Sequence, residues 1–290
     1  MKMRALIKTL RPRQWTKNAF ILAALVFDHQ LTHVPALLRT LAAFALFCFL
    51  SSAVYIINDI MDVEIDRNHP TKKNRPIASG QISAFFAIIF VIVLLAVIFP
   101  LAFWLSPYFA LVCAIYLLIN LLYSKWLKHI PLIDVLVIAS GFVLRVVAGV
   151  SVIHVERFSP WLYIVTTLFA LYIGFGKRRA EMVQVSNDVN NTRPVLNGYS
   201  LTLLDQLITI VSATTVVSYS LYTFSAPNLP ENHSMMLTIP FVLYGIFRYL
   251  YLIQIKQAGG EPEELLLRDR PLQITIILWA IAILLIFYLQ

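Results

Sequence analysis

The sequence contains few charged residues and very little cysteine. Only 13% of its 290 residues are Asp, Glu, Lys or Arg, whereas 59% are hydrophobic, which leaves too little polar surface for a soluble domain. Cys48 and Cys113 both lie within apolar runs, so we expect neither a disulfide framework nor cysteine ligands at metal-binding spacing. The expected solvent of this chain is therefore the lipid bilayer.

The positive net charge of +8 does not indicate a nucleic-acid partner. Lys and Arg occur mainly in loops between apolar runs, where they suit anionic lipid headgroups or phosphorylated substrates. The basic N-terminus precedes an apolar run, but no small-residue cleavage site follows, so we expect a retained first span rather than a signal peptide. We predict membrane lipids, and no nucleic acid, among the partners.

Apolar runs long enough to cross a hydrocarbon core of about 30 Å follow one another along the chain. Backbone polar groups in lipid must be satisfied within their own segment, which favours helices. The predicted spans lie near residues 18–32, 36–66, 83–104, 107–124, 131–153, 159–180, 200–225, 235–256 and 271–289. We predict an all-α polytopic membrane protein with nine transmembrane helices, forming a single transmembrane catalytic domain over residues 1–290.

Basic residues are concentrated in the N-terminal segment and in alternate loops. Because cytoplasmic loops retain Lys and Arg, this bias predicts a multi-pass protein of the cell (inner) membrane. The N-terminus is then cytoplasmic and the C-terminus lies outside. The loops after even-numbered spans face the cytoplasm.

The second predicted span ends in an acidic stripe. At about 100° per residue, Asp59, Asp62 and Asp66 fall within an arc of about 60°. Carboxylates so close to one another and to a bilayer need compensating positive charge, and Mg²⁺ prefers such oxygen ligands. The predicted metal ligands are Asn58, Asp59, Asp62 and Asp66. The alternative is a solvated helix end neutralised by the basic residues that follow.

A basic loop follows this helix and contains Lys72, Lys73 and Arg75. Acidic and basic groups at one membrane face suggest a phosphorylated substrate, with metal on one side of a diphosphate and cations on the other. Arg75, between Asn74 and Pro76, is the stronger candidate for the phosphate clamp. Lys72 and Lys73 are explained equally well as ordinary basic residues of a cytoplasmic loop.

Further cations occupy the ends of later spans. Lys128 follows the fourth span. In the fifth, Asp134 and Arg145 are about three turns apart and share a face; an arginine this deep needs either an interhelical partner or a substrate. The sixth span ends in Lys177, Arg178 and Arg179, a cluster that suits headgroup anchoring as well as anion binding.

The acidic pattern N-D-x-x-D-x-x-x-D at residues 58–66 resembles the first motif of the UbiA-type intramembrane prenyltransferase superfamily, whose members form a nine-helix bundle. More narrowly, the chain resembles the phosphoribosyltransferases of this superfamily that act on decaprenyl phosphate. The stretches that carry this resemblance are residues 11–18, 58–80, 141–145, 176–181 and 260–271. The resemblance implies a UbiA-like bundle and a soluble donor, phosphoribosyl diphosphate (PRPP).

One departure from the superfamily's aromatic prenyltransferases concerns the acceptor. Those enzymes resemble each other in a second D-x-x-x-D motif after the sixth helix, where this chain has Lys177-Arg-Arg-Ala-Glu181. Because a basic cluster can bind a lipid monophosphate directly, the replacement favours a polyprenyl phosphate as acceptor. Two alternatives stay open: transfer of a prenyl chain from prenyl diphosphate to an aromatic acceptor, and ion-coupled transport, although no inverted repeat is evident.

In this interpretation the predicted catalytic residues are Asp59, Asp62 and Asp66. They hold the Mg²⁺ that neutralises the leaving diphosphate, and they stabilise positive charge on the ribose ring. The lipid phosphate is already ionised, so its attack needs no general base. Candidates for binding the donor are Lys17, Tyr55, Asn58, Lys72 and Arg75. Candidates for binding the lipid phosphate are Lys128, Arg145, Lys177 and Arg178.

Overall fold

The structure is a computed structural model that describes residues 2–68, 72–155, 159–185, 194–226, 229–256, 265 and 268–288. Within these ranges helices are the only regular secondary structure, which confirms the all-α class. The α-helices are α1 (Lys2–Leu10), α2 (Ala23–Phe27), α3 (Val34–Met61), α4 (Val63–Arg67), α5 (Ala84–Leu105), α6 (Pro107–Lys125), α7 (Ile133–Val150), α8 (Pro160–Val185), α9 (Leu201–Ser225), α10 (Ile239–Gln254) and α11 (Arg270–Tyr288). Short 3₁₀ helices cover Pro12–Leu22, Lys72–Asn74, Leu127–His129, Pro194–Gly198 and Ser234–Thr238.

Seven stretches of the described chain are long and apolar enough to cross a membrane, so the multi-pass character is confirmed. They are Val34–Met61, Ala84–Leu105, Pro107–Lys125, Ile133–Val150, Leu201–Ser225, Ser234–Gln254 and Arg270–Tyr288. The 26-residue α8 coincides with the sixth predicted span, but it continues into a charged run and is not among the seven. The predicted count of nine is therefore not confirmed.

The first predicted span, residues 18–32, differs from a regular membrane helix. The 3₁₀ helix Pro12–Leu22 occupies its first part, and only the five-residue α2 follows. Within the 3₁₀ helix, the fully buried Asn18 donates from its side-chain amide to Cys48 Sγ and Ser51 Oγ of α3, at 3.2 Å each. Because a buried amide must be hydrogen-bonded, these tertiary contacts determine where the segment lies.

Helices α5 and α6 form a tight hairpin around Ser106. This residue ends α5 and also caps α6, because its hydroxyl accepts from the backbone amide of Phe109 over 3.4 Å. Trp104 and Tyr108 flank the turn and are 85% and 75% exposed. Exposed aromatic side chains at a helix end are typical of a membrane–water interface.

The chain divides into two compact units. The first comprises Met1–Leu25, Gln30–Leu127 and Leu144–Val155, and the second Val26–His29, Lys128–Val143 and Glu156–Gln290. The core of the first contains the fully buried Phe47, Leu50 and Phe109; that of the second is built around Tyr172 and Leu204. Each unit holds its own cluster of charged side chains. A single catalytic domain over residues 1–290 stays a prediction.

Candidate active site

The acidic stripe lies at the C-terminal end of α3 and in α4. Asp62 separates the two helices with φ −98° and ψ 10°. Helical hydrogen bonding nevertheless continues, because the amide of Asp62 donates to the Asn58 carbonyl over 2.9 Å and that of Asp66 to the Asp62 carbonyl over 2.8 Å. Asp59 and Asp66 are each only 2% exposed, so this helix end presents two buried carboxylates and the half-buried Asp62.

Arg75 joins the two buried carboxylates. Its Nη1 donates to Asp59 Oδ1 over 2.9 Å and to Asp66 Oδ2 over 2.6 Å. The guanidinium thereby offsets the repulsion between the two acids. The sequence placed Arg75 opposite the acidic helix, and the structure shows this contact. Its predicted role in binding a phosphorylated donor stays a prediction.

Arg11 is a residue of this site that the sequence analysis missed. Its Nη2 donates to Asp59 Oδ1 over 2.5 Å, and its guanidinium lies 5.0 Å from the centre of the Tyr55 ring. The backbone of Arg11 is left-handed, with φ 52° and ψ 58°, which is uncommon for a residue other than glycine. One feature of the sequence could have indicated Arg11: it is the first residue of the stretch 11–18, which carries part of the family resemblance. Arg11, Tyr55, Asp59, Asp66 and Arg75 thus form one cluster.

The remaining donor candidates lie in the same unit. Lys17 belongs to the 3₁₀ helix Pro12–Leu22 and Lys72 to the 3₁₀ turn just before Arg75, and both are half-buried. Lys17, Tyr55 and Arg145 all interact electrostatically with the hydroxyl of Tyr116. That interaction places Lys17 and Tyr55 in the neighbourhood of one buried polar group.

Arg145, on α7, is buried in the first unit with 5% exposure. Its Nε donates to Asn18 Oδ1 over 2.8 Å, and its Nη2 donates to the Tyr116 hydroxyl over 3.0 Å. The guanidinium also lies over the rings of Phe47 and Tyr116, which favours a cation in a low-dielectric setting. Asp134, which helical spacing placed on the same face, bonds Arg178 instead.

A second charged cluster lies in the second unit around Arg178. The buried guanidinium donates from Nε to Asp134 Oδ2 and from Nη1 to Glu181 Oε2, at 2.6 Å each. The Tyr199 hydroxyl donates to Asp134 Oδ1 and accepts from the amide of Leu132, again at 2.6 Å. Burial and the hydrogen bond to Asp134 raise the pKa of Tyr199 above its ordinary value, so this hydroxyl keeps its proton. Arg178 is therefore already neutralised by two carboxylates.

The other predicted acceptor residues of the second unit are Lys128 and Lys177, and both are half-buried. The next residue of the basic run, Arg179, donates to Asp205 Oδ1 over 2.6 Å and to the Ile253 carbonyl over 3.1 Å. It thereby links α8 to α9 and to the C-terminal end of α10. The basic run thus contains two arginines that tie helices together.

The last stretch that carried the resemblance is described only in part. Two parts of these stretches lie outside the described residues: 69–71 in the basic loop, and 260–264, 266 and 267 in the last stretch. Asp269 is described, and its carboxylate accepts from Arg248 Nε over 3.1 Å and from Nη2 over 2.8 Å. Asp269 also accepts from the amide of Leu272 over 2.9 Å and so caps α11.

The acidic end of α3 offers oxygen donors of the kind that Mg²⁺ prefers, three carboxylates and the Asn58 amide. Among the described residues, no three His, Cys, Asp or Glu side chains are grouped so as to hold a metal by themselves. Arg11 and Arg75 contact Asp59 and Asp66 instead. The donor set fits Mg²⁺ in its chemistry, with water or phosphate oxygens completing the shell, and the predicted ligands stay a prediction.

A family model described as the UbiA prenyltransferase family matches residues 19–265. A decaprenyl-phosphate phosphoribosyltransferase of Mycolicibacterium smegmatis is 34% identical over 289 residues, which cover 94% of this chain and 89% of the relative. The enzyme of the same name from Corynebacterium glutamicum is 33% identical over 295 residues, covering 98% and 87%. These matches confirm the resemblance that the acidic motif indicated.

Among solved structures, a UbiA homolog from Archaeoglobus fulgidus bound to DMAPP and Mg²⁺ has a TM-score of 0.74. It is 20% identical, and the match covers 98% of this chain and 99% of that one. At this identity the likeness concerns the fold alone. It confirms the UbiA-like helical architecture.

Proposed function

Because the chain belongs to the UbiA prenyltransferase family, we propose that it transfers the 5-phosphoribosyl group of PRPP to a polyprenyl phosphate of decaprenyl type. The reaction breaks the bond between ribose C1 and the diphosphate oxygen and forms a bond between C1 and a phosphate oxygen of the lipid. The observation that carries the proposal is the similarity, along nearly the whole chain, to two decaprenyl-phosphate phosphoribosyltransferases. We place the reaction at the cytoplasmic membrane face, with the N-terminus cytoplasmic and the C-terminus outside.

We assign the donor to the acidic end of α3. The residues that would hold Mg²⁺ are Asn58, Asp59, Asp62 and Asp66. When bound, the metal neutralises charge on the leaving diphosphate. Arg75 supports this assignment, because it touches both buried carboxylates while 26% of its side chain is exposed. It can therefore reach phosphate oxygens without leaving the site. Lys17, Tyr55 and Lys72 complete the proposed donor contacts.

The carboxylates also have a role in the transfer itself. Positive charge develops on the ribose ring as the C1–O bond breaks, and carboxylates fixed in a dry environment stabilise such charge. Asp59 and Asp66 meet this condition because they are nearly fully buried. We therefore propose Asp59 and Asp66 as catalytic residues, and we add the half-buried Asp62 because of its proposed part in holding the metal.

For the acceptor, we propose Arg145 of the first unit, and Lys128 and Lys177 of the second, as separate candidates for phosphate binding. Arg178 has a different part, because Asp134 and Glu181 already compensate its charge. It fixes the charged end of α8 and thereby positions Lys177, the preceding residue. An ionised lipid phosphate is a competent nucleophile, so no residue is assigned as a general base.

The proposal is tested with the full chain in lipid nanodiscs, Mg²⁺, PRPP labelled in the ribose, and a polyprenyl phosphate. We expect diphosphate release and label in the lipid fraction only when protein, metal and both substrates are present. Transfer of a labelled prenyl chain from prenyl diphosphate to an aromatic acceptor, without PRPP turnover, would instead establish the aromatic prenyltransferase alternative. Ion flux into proteoliposomes without turnover would establish the transporter.

A further inference from the structure

Arg11 and Arg75 form the outer layer of the acidic cluster. The side chains of Asp59 and Asp66 are 2% and 3% exposed, whereas those of Arg11 and Arg75 are 24% and 26% exposed. An anion that approaches this cluster meets the guanidinium groups first. A cation reaches the two carboxylates only after the guanidinium groups have moved.

The backbone of Arg11 is held in place from both sides. Ser52 of α3 donates from Oγ to the Leu10 carbonyl over 2.7 Å, and Trp15 Nε1 donates to the same Oγ over 3.0 Å. The left-handed conformation of Arg11 is strained for a residue other than glycine. Such strain persists where neighbouring contacts over-determine the backbone, as they do here. The backbone is therefore anchored, and only the side chain has to move.

Charge compensation determines when that side chain can move. Buried carboxylates need a cation in contact, and in this structure Arg11 and Arg75 supply the positive charge. A divalent metal arriving alone would add positive charge beside two guanidinium groups, which is unfavourable. A metal bound to diphosphate would bring anionic oxygens with it. The guanidinium groups could turn to these oxygens if Asp59 and Asp66 held the metal.

We propose that Arg11 and Arg75 exchange partners, from Asp59 and Asp66 to phosphate oxygens, when the metal-bound donor arrives. This exchange couples metal binding to diphosphate binding through Arg11. The sequence analysis did not predict Arg11 as a residue of the site. The identity of the donor rests on the proposed function. The competition between guanidinium and metal for Asp59 requires that Asp59 is a metal ligand and that it contacts Arg11 and Arg75, but it does not depend on which diphosphate is bound.

The test measures Mn²⁺ binding to the full chain in nanodiscs by electron paramagnetic resonance, with and without inorganic diphosphate. Values are corrected for the Mn²⁺–diphosphate complex in solution. In the wild-type protein we expect diphosphate to tighten Mn²⁺ binding about 10-fold or more, within the usual range of coupling between two ligands. In Arg11→Gln we expect Mn²⁺ alone to bind about 3- to 10-fold more tightly, and the coupling to shrink.

Two further variants keep the result interpretable. Arg11→Gly removes the guanidinium, but glycine adopts a φ of 52° without steric cost, so the backbone is retained and Mn²⁺ binding should match Arg11→Gln. Arg13→Gln removes an equal charge from an exposed position two residues away and should bind Mn²⁺ like the wild type.

Unchanged or weaker Mn²⁺ binding in both Arg11 variants would overturn the exchange. If the wild type transfers phosphoribosyl groups and yet Mn²⁺ binding is indifferent to Arg11, the exchange fails and the proposed function stands. If the coupling depends on Arg11 but PRPP is not turned over, the proposed function fails and the exchange stands.

Discussion

Arg178 donates from Nε to Asp134 over 2.6 Å, and both side chains are buried. The sequence-based assignment of this arginine to a lipid phosphate stays a prediction, and the structure shows the arginine at the centre of an ion cluster. The cluster joins α8 to the start of α7 and, through the hydroxyl of Tyr199, to the segment that precedes α9. Arg178 therefore positions the charged end of α8.

Replacing Arg178 by Gln should lower the stability of the second unit against unfolding. The substitution leaves Asp134 buried without its cation, and breaking a buried pair from one side costs about 3–5 kcal/mol. Adding Asp134→Asn should recover most of the stability and also most of the affinity for polyprenyl phosphate. Thermal unfolding and the KM for the lipid measure these two effects. A KM that stays raised in the stable double variant would instead indicate direct contact between Arg178 and the lipid.

Asp62→Asn should abolish transfer and leave the protein folded in the membrane. The substitution preserves shape but removes the charge from a proposed metal ligand, and we expect a loss of about 100-fold or more. Glu64→Gln is the matched control, because Glu64 is exposed and pairs with Arg67 over 2.8 Å. It should leave PRPP-dependent diphosphate release nearly unchanged. Wild-type activity in Asp62→Asn would contradict the metal assignment.

Gly176→Ala should destabilise the packing of α8 against α10. A Cβ at this position would lie 2.8 Å from the hydroxyl of Tyr249, and overpacking of this kind costs about 1–3 kcal/mol. Adding Tyr249→Phe removes the hydroxyl and should restore part of the thermal stability, because the ring carbon Cε1, which Phe keeps, would still lie 3.0 Å from the added Cβ.

The control for this effect is Gly245→Ala, in α10. A Cβ there would meet nothing within 4 Å, so the change should stabilise the helix by about 0.5–1 kcal/mol. An equal loss of stability in Gly176→Ala and Gly245→Ala would refute the close approach of Gly176 and Tyr249.

Asp269 should make unfolding sensitive to acid. The hydrogen bond from Arg248 lowers the pKa of this carboxyl below its ordinary value of 3.8. Its contribution to stability is therefore fully present above about pH 3.8 and is lost as the pH falls through the lower, folded-state pKa. Asp269→Asn still caps α11, since Asn is a good N-cap, but it removes the ion pair. Thermal scans from pH 6 to pH 3 should show a smaller acid-induced loss in this variant than in the wild type.

The positions of several membrane spans could be predicted from the sequence because lipid surrounds them. Helices α5, α6 and α9 begin at residues 84, 107 and 201, within one residue of the predicted starts. In lipid, an apolar run can satisfy its backbone hydrogen bonds within itself only as a helix. The length of the run is therefore enough to predict a helix and its position. Residues 18–32 do not follow this rule, because the side chain of Asn18 is hydrogen-bonded to α3 and to Arg145.

The acidic end of α3 was determined by the sequence alone, as was its basic counterpart. Asp59 and Asp66 share a stripe because helical periodicity is local, and Arg75 follows only nine residues after Asp66. Only the tertiary structure decided that Arg11, 48 residues before Asp59, completes this cluster, and that Arg178 is bound to Asp134, 44 residues away. The physical reason is that a long-range partner is chosen by how helices pack, and neither the spacing nor the hydropathy of one segment contains that information.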